Sequence, residues 1–289
     1  MTGQPQIESF FDLATNTVTY LVADPVSGTA AVIDPVLDYE PNGGITDSAS
    51  AEKIMAVAAE RSWSIRWVLE THIHADHLTA ARLIKQQTGA RVAISERVRE
   101  VQAIFQPMFA ADDVAPNGGD FDLLLNDGAI LDLGELKIEI IATPGHTPAD
   151  VSYRIGDAVF VGDTMFMPDY GTARSDFPGG DARQLYRSIR ALLDLSPETR
   201  LFTCHDYKAP GRDEIAWETT VAEQRATNVH VGGDTSEDEF VAMRTAKDAA
   251  LAVPRLLLPA IQVNIRAGRF PPAEANGQVY LRIPVRTKG

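Results

Sequence analysis

The chain has 289 residues, 45% of them hydrophobic and 23% charged, with a net charge of −14 from 26 basic and 40 acidic side chains. That is ordinary globular composition for one large domain or a domain with an appendage. The acidic excess works against the basic footprint that a nucleic-acid binder needs. One cysteine, Cys204, allows no internal disulfide. With no basic, apolar leader and no bilayer-length apolar run, the expectation is a cytoplasmic protein with no membrane partner.

In chain order, Thr17–Val22 alternates polar and apolar residues, and Ala30–Ile33 is an apolar run after Gly28, so two strands joined by a short turn are predicted. Ala51–Arg61 reads as a helix with Ile54, Val57 and Ala58 on one stripe. Ile65–Leu69 is a strand ending at Glu70-Thr71-His72. Leu78–Gln87 is predicted helical with Gly89 as its C-cap, and Arg91–Ile94 is a further strand. Gln106–Asp122, with two prolines and a Gly-Gly pair, reads as a long surface loop of the kind that forms lids or rims. Strands follow at Leu136–Ala142, Val151–Ile155 and Ala158–Val161. A helix at Ala182–Leu193 and a strand at Leu201–Thr203 come next. Beyond Glu214 the chain is predicted mainly helical, with a capping-box pattern at Ser236-Glu237-Asp238-Glu239. Strand runs followed by helices, twice over, predict two packed sheets with helices outside.

The chemistry concentrates at strand ends. His72-Ile73-His74-Ala75-Asp76-His77 sets four metal-competent side chains within six residues, just after a buried strand. A lone loop histidine usually makes ordinary hydrogen bonds, whereas three in six positions with an interposed aspartate are hard to assign to packing. His146 follows a strand in Thr143-Pro144-Gly145-His146-Thr147, Asp163 ends the apolar run Val159-Phe160-Val161-Gly162, and His205 follows Thr203-Cys204. Each alone would be a weak signal. His230 has no such setting and reads as a surface or rim residue, and Cys204 as a small buried cysteine.

The order His72-x-His74-x-Asp76-His77, then His146, Asp163 and His205, resembles the metallo-β-lactamase superfamily over nearly the whole chain. The segments around Thr71–Thr79, Thr143–Thr147, Ala173–Phe177, His205–Tyr207 and Val263–Gly268 are similar to persulfide dioxygenases of its glutathione-linked branch. Glyoxalase II enzymes share the metal motifs. The resemblance implies an α/β fold, the αβ/βα sandwich of two mixed sheets flanked by helices. Residues 1–210 would form the catalytic core, and 211–289 a mainly helical extension packed on it. It implies one Fe(II) per chain held by His72, His146 and Asp163, which leaves positions open as oxygen-activating iron enzymes need. His74, Asp76, His77 and His205 would surround the ion or form a latent second site. The alternative is a zinc or mixed dinuclear centre hydrolysing a glutathione thioester. The implied partners are O2 and glutathione persulfide or a related thiol persulfide, and a homodimer is compatible with the resemblance. Arg174, Thr147, Tyr207, Lys208 and Arg225 are the expected substrate contacts, Tyr207 also serving catalysis. Arg174 is expected to pair a substrate carboxylate bidentately.

Overall fold

A computed structural model describes residues 3–285 and 287. The strands are β1 (Gln6–Asp12), β2 (Thr17–Ala23), β3 (Thr29–Ile33), β4 (Val36–Glu40), β5 (Ile45–Asp47), β6 (Ser64–Leu69), β7 (Leu78–Thr79), β8 (Arg91–Ser95), β9 (Leu123–Leu125), β10 (Ile130–Leu133), β11 (Leu136–Ala142), β12 (Val151–Ile155), β13 (Ala158–Phe160), β14 (Arg200–Phe202) and β15 (Glu218–Thr220). The helices are α1 (Ala49–Glu60), α2 (Ala81–Thr88), α3 (Val98–Met108), α4 (Ala182–Leu193), α5 (Val221–Thr227), α6 (Glu237–Asp248) and α7 (Leu257–Asn264).

Two six-stranded mixed sheets, β1-β2-β3-β6-β8-β9 and β10-β11-β12-β13-β14-β15, pack face to face. Because side chains alternate along a strand, each sheet buries two faces. Val18, Tyr20 and Val22 of β2 enter the layer between the sheets with Ile138, Ile140, Tyr153 and Phe160, while Leu21 and Ala23 face Ile54, Ile84, Phe105 and Ile261 on the helices outside. The second sheet repeats the pattern, since Phe160 points inward and Val159 outward onto Leu185, Ile189 and Phe240. The layers are therefore helix, sheet, sheet, helix, as expected. A small third sheet, β5-β4-β7, stands beside the metal-motif loop.

Several local expectations hold. Gly89 closes α2 in the left-handed conformation at φ 77°, and Ser236 and Glu239 form the reciprocal cap of α6. Others are corrected. The predicted helix at 78–87 begins instead as β7, because Leu78 and Thr79 pair with Leu37 and Val36, and α2 starts only at Ala81. Residues 106–108 belong to α3, whose Val98, Val101 and Phe105 pack on the core. The rest of the predicted 106–122 loop is no rim of the site: its Asp113 and Asp120 pair with Arg266 and Arg269. Past Glu214 the chain is less helical than expected, because β15 pairs with β14 and completes the second sheet. Among the described residues no helix is long and apolar enough to cross a membrane.

Candidate metal centre

Strands β3 and β6 run parallel, as do β13 and β14, and their carboxyl ends deliver the donors to one edge of the sandwich. Asp34 follows β3, Glu70-Thr71-His72 follows β6, His146 lies beyond β11, Asp163 beyond β13 and His205 beyond β14. Two glycines shape this edge. Gly145 (φ 146°) lets the turn before His146 lie against α4, where an added Cβ would come within 2.3 Å of the Leu185 backbone. Gly162 (φ 51°) does the same before Asp163, where a Cβ would meet Thr71 Oγ1 at 2.6 Å.

His72, His146 and Asp163 bring three donor atoms within 4.8 Å of one another, and all three residues are buried. Asp163 Oδ2 lies 3.9 Å from His72 Nε2 and 3.6 Å from His146 Nε2. Its Oδ1 lies 3.3 Å from His205 Nε2, which is also 3.4 Å from Asp76 Oδ2. Asp163 thus links the triad, through its Oδ1, to a second group made by Asp76, His77 and His205.

The other edge of each ring is anchored. His146 Nδ1 donates to the Arg174 carbonyl at 2.7 Å, and His205 Nδ1 to the Asn16 carbonyl at 3.2 Å. His72 Nδ1 meets Thr71 Oγ1 at 3.0 Å, and His77 Nδ1 meets Asp76 Oδ2 at 3.1 Å. His74 Nε2 donates to Asp34 Oδ1 at 2.9 Å. The inward atoms His72 Nε2, His74 Nδ1, His77 Nε2, His205 Nε2 and Asp163 Oδ1 are buried without a hydrogen-bond partner. Buried polar atoms are rarely orphaned, and fixed outer edges with free inner nitrogens are how proteins prepare metal ligands. The residues fit a first-row divalent ion held by imidazoles and a carboxylate.

The charges around the ring set differ by position. Burial, reinforced by His74 and His146, pushes the His72 imidazole well below its ordinary range. Burial opposes charge on His74 too, but Asp34 and then Glu70 outweigh it and hold the ring well above that range. Glu70 Oε2 lies 3.5 Å from His74 Nε2, and Thr79 donates to the other carboxylate oxygen. These two buried carboxylates were not expected from the sequence. The available signal was Glu70 itself, an acidic residue ending an apolar strand directly before Thr71-His72. Burial and Asp34 together push the Cys204 thiol well up, and its Sγ donates to Asp34 Oδ2 at 3.6 Å.

The centre opens into a cavity of about 800 Å3 whose lining includes Asp76, His146 and Asp163. Such a volume suits a small-molecule site. Phe166, Tyr170 and Tyr207 form an aromatic wall, and Tyr207 stacks on His205 with centroids 5.4 Å apart. Tyr207 is 39% exposed at the cavity, with Asp76 and Asp163 nearby. Arg174 lines the cavity, but its fork is committed: Nε and Nη2 donate to Asp176 at 2.6 and 2.8 Å, and Nη1 to the Ala252 carbonyl at 2.8 Å. The guanidinium is thus engaged within the protein, and Asp176 two residues on is the sequence signal for that pairing.

Three other expected substrate contacts do not line this cavity. Thr147 is buried and donates to Asp150 at 2.5 Å, which fixes the His146 turn. Lys208 is exposed, and Arg225 approaches Asp194 at 3.8 Å. The cations that do line the cavity and pair with no carboxylate among the described residues are Lys247 and Arg255.

His230 is likewise corrected from rim to wall. It is buried, its Nδ1 accepts from the Thr172 backbone N–H at 3.0 Å, and Lys247 Nζ stands 2.6 Å from Nε2. Burial, then Lys247 and Arg244, lower its pKa to about 4. A histidine depressed in the folded state stabilises least at low pH: its contribution is complete above the unfolded value of about 6.5 and is lost as pH falls toward 4. His230→Gln is expected to flatten the pH dependence of urea unfolding between those limits. An unchanged slope would mean the ring is solvated.

The chain belongs to the metallo-β-lactamase superfamily, whose family pattern matches residues 13–205. Among individual relatives, it is 52% identical to a probable metallo-hydrolase of Burkholderia pseudomallei, covering 96% of this chain and 98% of that protein. It is 44% identical to glyoxylase B2 of Dictyostelium discoideum (99% and 98% covered) and 27% identical to the human mitochondrial persulfide dioxygenase ETHE1 (91% and 88% covered). The crystal structure of ETHE1 from Myxococcus xanthus superposes with a TM-score of 0.73 at 31% identity, covering 91% of this chain and all of that one. The chain also spans 65% of the length of the β-lactamase hydrolase-like protein of Agrobacterium fabrum, with 47% identity.

Proposed function

We propose that the chain is an iron-dependent persulfide dioxygenase that oxidises the outer sulfur of glutathione persulfide or a similar thiol persulfide to sulfite. The observation that carries this reading is the His72–His146–Asp163 triad, two of whose members, His146 and Asp163, line the cavity, and the likeness to ETHE1 proteins supports it. Iron(II), held by His72, His146 and Asp163, would supply O2 activation. In the overall reaction the S–S bond breaks, the inner sulfur leaves as thiol, and the outer sulfur receives its oxygens from O2 and water.

This chain's residues would bind and orient the substrate. Phe166, Tyr170 and Tyr207 would give the substrate an aromatic wall on one side, and the Tyr207 hydroxyl can donate to a substrate sulfur or carbonyl. Lys247 and Arg255 offer charge to substrate carboxylates. Arg174 would act at one remove, pinning the 250–256 wall through Ala252. Arg174→Ala is therefore expected to leave metal content near normal, since His146 uses the Arg174 backbone carbonyl. The expected effects are a raised KM and faster amide exchange at 249–256, with Arg174→Lys restoring part of the loss. Unchanged exchange in that segment would assign Arg174 another role.

A second reading has its own support. The Asp76–His77–His205 group keeps orphaned nitrogens of its own, and relatives at 44–52% identity are called a glyoxylase and a metallo-hydrolase. A dinuclear centre would polarise a thioester carbonyl and activate water. Oxygen uptake separates the two readings: the dioxygenase consumes O2 with glutathione persulfide, whereas the hydrolase cleaves S-lactoylglutathione anaerobically.

A further inference from the structure

Beside the active-site cavity lies a second groove of about 430 Å3. The two share Ala14 and Thr15, in the β1–β2 turn, and Arg255 and Leu256, before α7. The groove therefore continues the cavity past a gate formed by that turn and Arg255. Its floor is apolar, with Val36, Leu78 and Leu256 almost fully buried and Leu37, Tyr39 and Ile45 alongside. Its rim carries Asp12, Asp38, Glu40 and Asp47. Each of these carboxylates accepts from backbone N–H groups, some also from hydroxyls, and none pairs with a cation among the described residues. An anionic end is repelled by such a rim, whereas a neutral apolar limb gains by covering the floor.

We propose that this groove is a specificity subsite for a neutral, apolar limb of the thiol carrier. The sulfur end would stand at the metal centre, an amide at Arg255 and an apolar tail over Ile45. The guanidinium at the gate has donors but no acceptor, so it suits the carbonyl of an amide. The inference rests on the reading that a thiol derivative occupies the main cavity, and it extends the substrate class to amide-containing thiols longer and less charged than glutathione. It does not depend on whether the reaction is oxygenation or hydrolysis.

The test uses the metal-loaded full chain and two neutral thiols, N-acetylcysteamine and N-octanoylcysteamine, with binding followed by titration calorimetry. The octanoyl compound is expected to bind at least about tenfold more tightly, because its extra methylenes leave water. Ile45→Glu should abolish that difference and leave the affinity for N-acetylcysteamine unchanged. Ile45 is 63% exposed, so the substitution does not disturb the core, and Ile45→Ala, expected to reduce the difference, provides the same comparison with a milder change. Equal affinities for the two thiols in the parent protein, or a difference that survives Ile45→Glu, would overturn the subsite. Binding of neither thiol would overturn it together with the thiol-carrier reading. Failure of the dioxygenase reading alone would show as absent O2 uptake with the binding difference intact.

Discussion

His72→Ala, His146→Ala and Asp163→Ala are each expected to lose the bound ion and to reduce turnover at least about a thousandfold. A triad has no spare ligand: each residue contributes one of the three donor atoms gathered within 4.8 Å. Each change leaves only two of the three donors, which hold a divalent ion far more weakly against water, and loss of the carboxylate also removes its charge. The folded chain should survive each change, because the three residues lie beyond the strand ends, His146 and Asp163 on the cavity wall, while the strands behind them are packed independently. Metal analysis of the purified variants, alongside circular dichroism, checks the expectation. Near-stoichiometric metal in any of the three would show that the ion sits elsewhere, with the Asp76–His77–His205 group the first place to look.

His74→Ala should behave differently, with its main effect on stability. The His74 ring stands between Asp34 and Glu70, both buried, with Nε2 at 2.9 and 3.5 Å from their oxygens. Removing it leaves two carboxylates without their common partner in a dry interior, a change that typically costs about 3–5 kcal/mol. Asp34 also accepts from the Thr71 backbone N–H at 2.7 Å and from its hydroxyl at 2.8 Å, so loosening Asp34 would disturb the residue directly before His72. Urea unfolding of the metal-free protein measures the cost. Asp34→Asn, which keeps the shape and one acceptor, is expected to lose less. A loss below about 1 kcal/mol for His74→Ala would mean that the two carboxylates are already solvated or protonated. Loss of metal as complete as in His72→Ala would instead make His74 a ligand, consistent with its orphaned Nδ1.

The sequence made the donors legible because they are local: His72 to His77 lie within six residues, and the other donors each follow a short apolar strand. Boundaries set by local chemistry were legible for the same reason, as at Gly89 and the Ser236–Glu239 cap. What required the fold was convergence. Lys247, Arg255 and His230 come from α6, the segment before α7 and the loop after α5, and nothing local marks them as neighbours of Asp163. Helix α3 was hidden because its stripe of Val98, Val101 and Phe105 is interspersed with charges, and Pro107 stands in its last turn. Leu78 and Thr79 continue an apolar pattern that reads as helical, yet pairing with β4 holds them extended, a tertiary contact overriding local preference. Arg174 was recognised as a cavity residue, but its role turned on Asp176 and on Ala252, far along the chain.

Oxygen consumption by the chain, purified without added metal and supplied with glutathione persulfide, tests the central claim most directly. The account predicts close to one iron per chain, O2 uptake matched by sulfite and thiol release, and loss of all three on His146→Ala. Two zinc ions per chain, with no O2 uptake and anaerobic cleavage of S-lactoylglutathione, would contradict it and establish the hydrolase.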